Sequence, residues 1–467
     1  MPKRHLDDPG VDYYLTLFDR HGNERPETDG TLLSTELADL VADGVTDVFV
    51  ASHGWMGDVP AAIRQYDRWV AAMARQTADL AAARSAAPGF SPLTVAVHWP
   101  SLPWGDERAA SALLDGGEDD EFAAEREMSP PELVDLYAER LSGTDAARAA
   151  LATILAAEDD RGGAAALERG EVPAEVEAAY RRLVTEAGLE PRGAGAAPGL
   201  DQEAFDPAGT IDEWRGESAD APGQPGLLGG NGRAAVRDLL LAPVRQLSFW
   251  SMKRRACHVG ETEVHRLLAA LQQGARSPRL HLMGHSFGCI VVTAAAAGPI
   301  RDETIVDPLP HPVSSMILVQ GAMSLWSFAS AIPYPPSAPG YFRPALAAPA
   351  AVDGPIVVTR SQYDRAVGTF YPLGSRISGE RLLGDDDFPE FGGIGTFGVR
   401  GAAPSEEQEL LADDASYRLD PGCVYNVDAS AVIREGGGPS GAHNDIAHPR
   451  VAHLFWEAAL SGIRAGK

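Results

Sequence analysis

The sequence predicts an α/β fold: a doubly wound, mostly parallel sheet interrupted by a large acidic insertion. Three observations predict it. Short continuous apolar runs alternate with helical stretches, the pattern of strands buried on both faces. Those runs fall in two blocks, roughly 1–100 and 245–467. Between them lies a stretch of different composition: residues 105–240 hold 30 acidic and 12 basic residues, so −18 of the formal −27 sits there.

Taken in order, VDYYLTLFD (11–19) alternates weakly, as an early strand does. VTDVFVASHG (45–54) is a β-branched and aromatic run ending in glycine, and 60–83 reads as a helix with Pro60 in its first turn. PLTVAVHWP (92–100) is another buried-type strand. Inside the acidic stretch, helices are expected over 131–141, 145–158 and 173–187, with Ser129 and Thr144 as N-caps. In 260–274, Val264, Leu267, Leu268 and Leu271 have helical spacing and Gly274 suits a C-cap. Strand-like runs follow at 279–286, 313–322, 354–364 and 423–430, with a helix after the first of them through Ala297. VAHLFWEAAL (451–460) reads as a closing amphipathic helix. The expected organisation is a core of 1–104 and 245–467 interrupted by a 105–244 insertion.

Composition excludes several classes. Acids outnumber bases 66 to 39, which argues against nucleic acid as a partner. No apolar run approaches the length of a membrane span, and MPKRHLDDPG lacks the apolar region of a signal peptide. The three cysteines, Cys257, Cys289 and Cys423, are widely spaced, as expected of reduced thiols in a cytoplasmic protein. No metal-ligand spacing and no P-loop context is present, so neither metal nor cofactor is expected.

The segment carrying chemistry is Gly284-His285-Ser286-Phe287-Gly288, between a strand and an apolar helix. Glycines two residues either side permit a very sharp turn, because a side chain there would meet the neighbouring strand and helix. Such a turn lifts Ser286 above the sheet at a helix N-terminus and points the Phe287 amide at a developing oxyanion.

This constellation resembles the α/β-hydrolase superfamily, whose triad runs nucleophile, acid, histidine. The resemblance implies Ser286 as nucleophile, Asp364 (ending GPIVVTRSQYD) as acid and His443 (in GAHNDIAHP) as base. Ser-His-Gly-Trp (52–55) resembles the family's oxyanion loop, which implies the Trp55 amide as second donor beside Phe287. Asp307 and Asp428 stay open as acids, and His448 and His453 as bases. Asp445 is expected to hydrogen-bond within the histidine loop. His53, His98, His285 and Trp326 are candidate pocket residues, each with a packing role as the alternative. Cys289 is expected to be buried and not a nucleophile.

The activity so implied is hydrolysis of a small-molecule carboxylic ester or related acyl substrate through an acyl-enzyme. Amidase, thioesterase or acyltransferase chemistry would use the same residues. The resemblance further implies that the 105–244 insertion is a lid shaping the acyl pocket, with a partly disordered loop as the alternative. A hydrolase-fold scaffold binding a protein partner through 105–240 is the non-catalytic alternative. The segment 242–256 carries Leu247, Phe249, Trp250 and Met252 before Lys253-Arg254-Arg255. It reads either as an interfacial helix or, preferred here, as a packed helix with a basic end; no stable membrane insertion is expected.

Overall fold

The computed structural model describes residues 3–19, 22–55, 59–101, 128–168, 171–189, 196–202, 204–220, 232–273, 277–300, 307–334, 337–347, 350–370, 388–436 and 441–465. Its strands are β1 (Lys3–Leu6), β2 (Val11–Leu17), β3 (Asp47–Ser52), β4 (Pro92–His98), β5 (Arg279–His285), β6 (Ser315–Val319), β7 (Ile356–Arg360), β8 (Ser405–Glu409) and β9 (Val424–Asp428). They form one sheet in the order β1-β2-β4-β3-β5-β6-β7-β9-β8. Only the β1–β2 pair is antiparallel.

The helices are α1 (Leu33–Ala42), α2 (Val59–Arg75), α3 (Thr77–Ala86), α4 (Pro130–Leu141), α5 (Asp145–Ala156), α6 (Arg161–Glu168), α7 (Ala174–Ala187), α8 (Pro207–Asp220), α9 (Gly232–Val259), α10 (His265–Leu271), α11 (Gly288–Ala297), α12 (Arg365–Phe370), α13 (Ile394–Phe397) and α14 (Pro449–Ala465). The period of two in a strand sends alternate side chains to opposite faces. Val48, Val50, Leu280, Leu282, Met316 and Leu318 therefore join one core with α1, α9, α10 and α11. Phe49, Ala51, Met283, Ile317 and Val319 join the other with α2 and α14. Both faces are covered, which is why the strands lack polar alternation.

The expected helix over 60–83 is two helices. Gln76 leaves helical geometry (φ −78°, ψ 67°) and α3 restarts at Thr77. The 260–274 helix opens instead with a π turn, Gly260–Val264, before α10; the Thr262 hydroxyl donates to the His258 carbonyl within it. Gly274 lies outside the described residues. Ser129 caps α4 reciprocally with Glu132, and Thr144 Oγ1 accepts from the Ala147 amide at 3.1 Å, as expected.

The acidic block from residue 128 on is largely helical, with α4–α8 gathered around α9; residues 102–127 and 221–231 lie outside the described residues. Helix α9 is continuous across position 244, where core and insertion were expected to divide. It carries the 242–256 segment, whose residues are buried on every side from Leu239 to Met252. A helix buried on every side, its Arg245, Gln246, Ser248 and Ser251 included, cannot lie at a membrane surface, so this is the packed alternative, with Pro243 accommodated in its interior. Lys253, at its basic end, is buried and paired with Asp201. Among the described residues no helix is long and apolar enough to cross a membrane.

Candidate active site

Strand order reverses at β3 and β5: the chain winds outward from β3 in one direction and from β5 in the other. Open α/β sheets bind ligands at such a switch point, beyond the carboxyl ends of the strands. Ser52 pairs in register with Gly284, so His53-Gly54-Trp55 and His285-Ser286-Phe287 leave the sheet side by side.

Ser286 sits at the turn with φ +54°, a conformation non-glycine residues seldom adopt. The turn is held by Ser286 N–H donating to Val319 O (3.2 Å) and by the Ala322 amide donating to Ser286 O (3.1 Å). Its glycines are dictated by contact. A Cβ on Gly288 would lie 2.1 Å from Ser52 O, and one on Gly284 would lie 2.5 Å from the Cys289 backbone. Gly54 faces the serine itself: a Cβ there would be 2.7 Å from Ser286 Cβ and 3.2 Å from Oγ. Among the described residues neither the Phe287 nor the Trp55 amide meets an acceptor. The two rings pack together at 5.7 Å, with Phe249 of α9 against both.

Asp364 follows β7, and His443 lies in the loop before α14. The two are joined: His443 Nδ1–H donates to Asp364 Oδ2 at 2.9 Å. Both side chains are buried. A backbone bridge between Asp364 and Gly441, with the Ala442 amide donating to Tyr363 O at 2.9 Å, fastens the histidine loop to the acid's loop. The carboxylate is further fixed by Val367 N–H on Oδ1 (3.0 Å) and Gln320 Nε2 on Oδ2 (3.1 Å). Gln320, just past β6, is itself at φ +47°. No local sequence signal marks it; only the adjacency of β6 and β7 reveals it.

The histidine is also tied to the elbow. His285 Nε2–H donates to the His443 carbonyl at 2.9 Å, and the two rings stand 4.9 Å apart. The structure thus gathers the three expected triad residues, and Gly54 and His285, at one end of the sheet.

The other expected candidates are held in packing. His53 is buried, stacked on His98 (4.7 Å) and Trp99 (5.8 Å), with Nδ1 2.8 Å from Gly54 O. Burial and the neighbouring His98 push its pKa well down. His98 is wholly buried beneath it. Trp326 lies in a separate cluster with Tyr334 and Phe391, its indole N–H donating to Glu390 O at 3.0 Å. Cys289 is buried, with its thiol pKa pushed well up by that burial.

The alternative acids and bases are occupied elsewhere. Asp428 pairs with Arg360 at 3.0 Å, and Asp307 offers its carbonyl to His265. His453 is held between Asp79 and Ala415 O. His448 pairs with Asp445, which also receives the Arg434 and Glu435 amides and so orders the histidine loop. Asp79, His453 and Glu457 approach metal-ligand spacing, but both ring nitrogens of His453 are already engaged and Glu457 accepts from the Tyr417 amide.

Comparison with protein-family models, with curated proteins and with solved structures returns no match. The site is read from its own geometry.

Proposed function

We propose that this chain is a serine hydrolase of the α/β-hydrolase type, cleaving a carboxylic ester or related acyl bond. The observation that carries the reading is the His443 Nδ1–Asp364 Oδ2 hydrogen bond, in a histidine loop tied to the strained turn that bears Ser286.

With Nδ1–H engaged by Asp364, His443 keeps its Nε2 lone pair as a base. Ser286 Oγ attacks the acyl carbonyl and passes its proton to that nitrogen. Asp364 stabilises the imidazolium formed. The Phe287 and Trp55 amides receive the negative oxygen of the tetrahedral intermediate, each such donor lowering the barrier by roughly 3 kcal/mol. Collapse expels the alcohol, which takes the proton from His443. Water, deprotonated by the same histidine, then releases the acid and restores Ser286. The block α4–α9 acts as the lid in this reading, supported by the contact of Phe249 with Trp55 and Phe287.

A fluorophosphonate probe tests it. Labelling should map to Ser286, and Ser286→Ala should remove both labelling and ester turnover. A folded wild-type protein that neither labels nor hydrolyses simple esters would overturn the proposal.

A further inference from the structure

We propose that His285, with Gln65, is a positioning residue that holds the backbone of His443 at the elbow in one proton arrangement. The proposal rests on the serine-hydrolase reading above, since it concerns how the base of that triad is aimed.

Three segments distant in sequence meet here. Gln65 projects from α2, and its Nε2 lies 2.9 Å from His285 Nδ1. His285 ends β5, and its Nε2 lies 2.9 Å from the carbonyl oxygen of His443. The donor count fixes the protons. An amide NH2 only donates, so His285 Nδ1 must accept; a carbonyl only accepts, so His285 Nε2 must carry the hydrogen. Both conditions are met by a single species, the neutral Nε2–H tautomer. An imidazolium would set an Nδ1–H against the amide hydrogens and force Gln65 to turn over.

The surroundings favour that neutral species. His285 is 2% exposed, the Trp69 ring stands edge-on to it at 6.0 Å, and a Cβ on Gly54 would lie 3.4 Å from its Nδ1. Arg68, and His443 whenever it is protonated, add to the burial in disfavouring a charge on the ring. The ring is thus clamped at both nitrogens and on its faces, yet in the mechanism it neither gives nor takes a proton.

Asp364 fixes the His443 ring through Nδ1, and the Asp364–Gly441 bridge ties residues 441–442 to the loop of the acid, but neither ties the base to the turn that bears Ser286. The His285 bond anchors the His443 backbone to the residue preceding the nucleophile. Serine and base then share one frame, and displacements of about 1 Å in such a frame cost on the order of 10²-fold in rate.

The experiment compares His285→Phe, His285→Gln and Gln65→Leu with wild type and Ser286→Ala. Steady-state kinetics use a short-chain nitrophenyl ester, melting curves check folding, and ¹⁵N spectra use imidazole-labelled protein. His285→Phe should lower kcat by about ten- to a hundredfold with KM nearly unchanged, the signature of a lost transition-state arrangement. His285→Gln, whose Nε2 can donate where the ring Nε2 did, should recover most of that loss. The His285 signal, assigned by its loss in His285→Gln, should be that of a neutral, Nε2-protonated ring in wild type and should lose its fixed tautomer in Gln65→Leu. If His285→Phe fails to fold, the Gln65→Leu spectrum and the His285→Gln kinetics decide alone. A folded His285→Phe with wild-type kcat, a folded His285→Gln with a severe kcat loss, or an Nδ1-protonated His285 signal in wild type would each overturn the inference. Ser286→Ala separates the two readings: if it abolishes turnover while His285→Phe does nothing, only the positioning role fails; if it leaves turnover intact, the triad itself fails.

Discussion

Two residues at the candidate site, Ser286 and Gln320, adopt positive φ without being glycine. Each such residue costs of order 1–3 kcal/mol and persists where the surroundings dictate it. Here one carries the candidate nucleophile and the other grips the candidate acid. Asp364→Asn would remove the charge that stabilises the imidazolium and unsettle the tautomer of His443. Its kcat should fall by roughly 10⁴ with melting temperature nearly unchanged, a size known from other triads. Gly54→Ala would drive a methyl into Ser286 Cβ. Steady-state assays should show at least about a 10²-fold loss in kcat from displaced serine geometry. Ser286, Asp364 and His443 were legible in the sequence because each sits in a local pattern and the three fall in a telling order. Gln65 and Gln320 were not, since their roles exist only where separate strand ends and helices converge.

Among the elements, the interior strands and most helices could be read from apolar runs and caps. β1 and β8 could not. β8 is Ser-Glu-Glu-Gln-Glu, largely exposed, and it joins the sheet by backbone pairing with β9 and through Glu407, which accepts from Asn426 of β9 and pairs with Arg360 and Arg400. Helix α9 was only half legible: its apolar half suggested packing, while the KRR triplet suggested a wet end. In fact Lys253 is buried, and that burial lowers its pKa to about 8 against the pull of Asp201. Asp201→Ala would leave a buried cation without its carboxylate, a loss of about 3–5 kcal/mol. Thermal melts should show a marked fall for that variant. The double change Asp201→Leu with Lys253→Met should melt close to wild type, because removing both charges also removes their desolvation cost.

For the whole molecule, the acidity of the sequence says less about stability than its buried histidines do. His53, His281 and His285 all have pKa values lowered from 6.5, chiefly by burial. The unfolded chain therefore binds more protons than the folded one between the folded values and about 6.5. Stability is full above that unfolded value and declines as pH falls below it. His453, raised by its Asp79 and Ala415 contacts despite burial, works in the opposite sense but is one group against three. Melting temperature should drop between pH 7 and pH 5 with net proton uptake on unfolding; a flat profile across that range would contradict the burial of these rings.

The pairing of Ser52 with Gly284 also governs when the site comes into being. That contact closes a loop of more than two hundred residues, and the acid and base join from still later segments. The helices of 128–259 precede the β5 strand in synthesis, although α9 also packs against α4, about a hundred residues earlier, and α11 of the later core, and such non-local pairings form slowly. The frame of the candidate nucleophile is complete only after residue 443 has been made. On the proposed serine-hydrolase reading, a chain caught partway through synthesis would carry Ser286 without its base, and so would be harmless to acyl compounds around it.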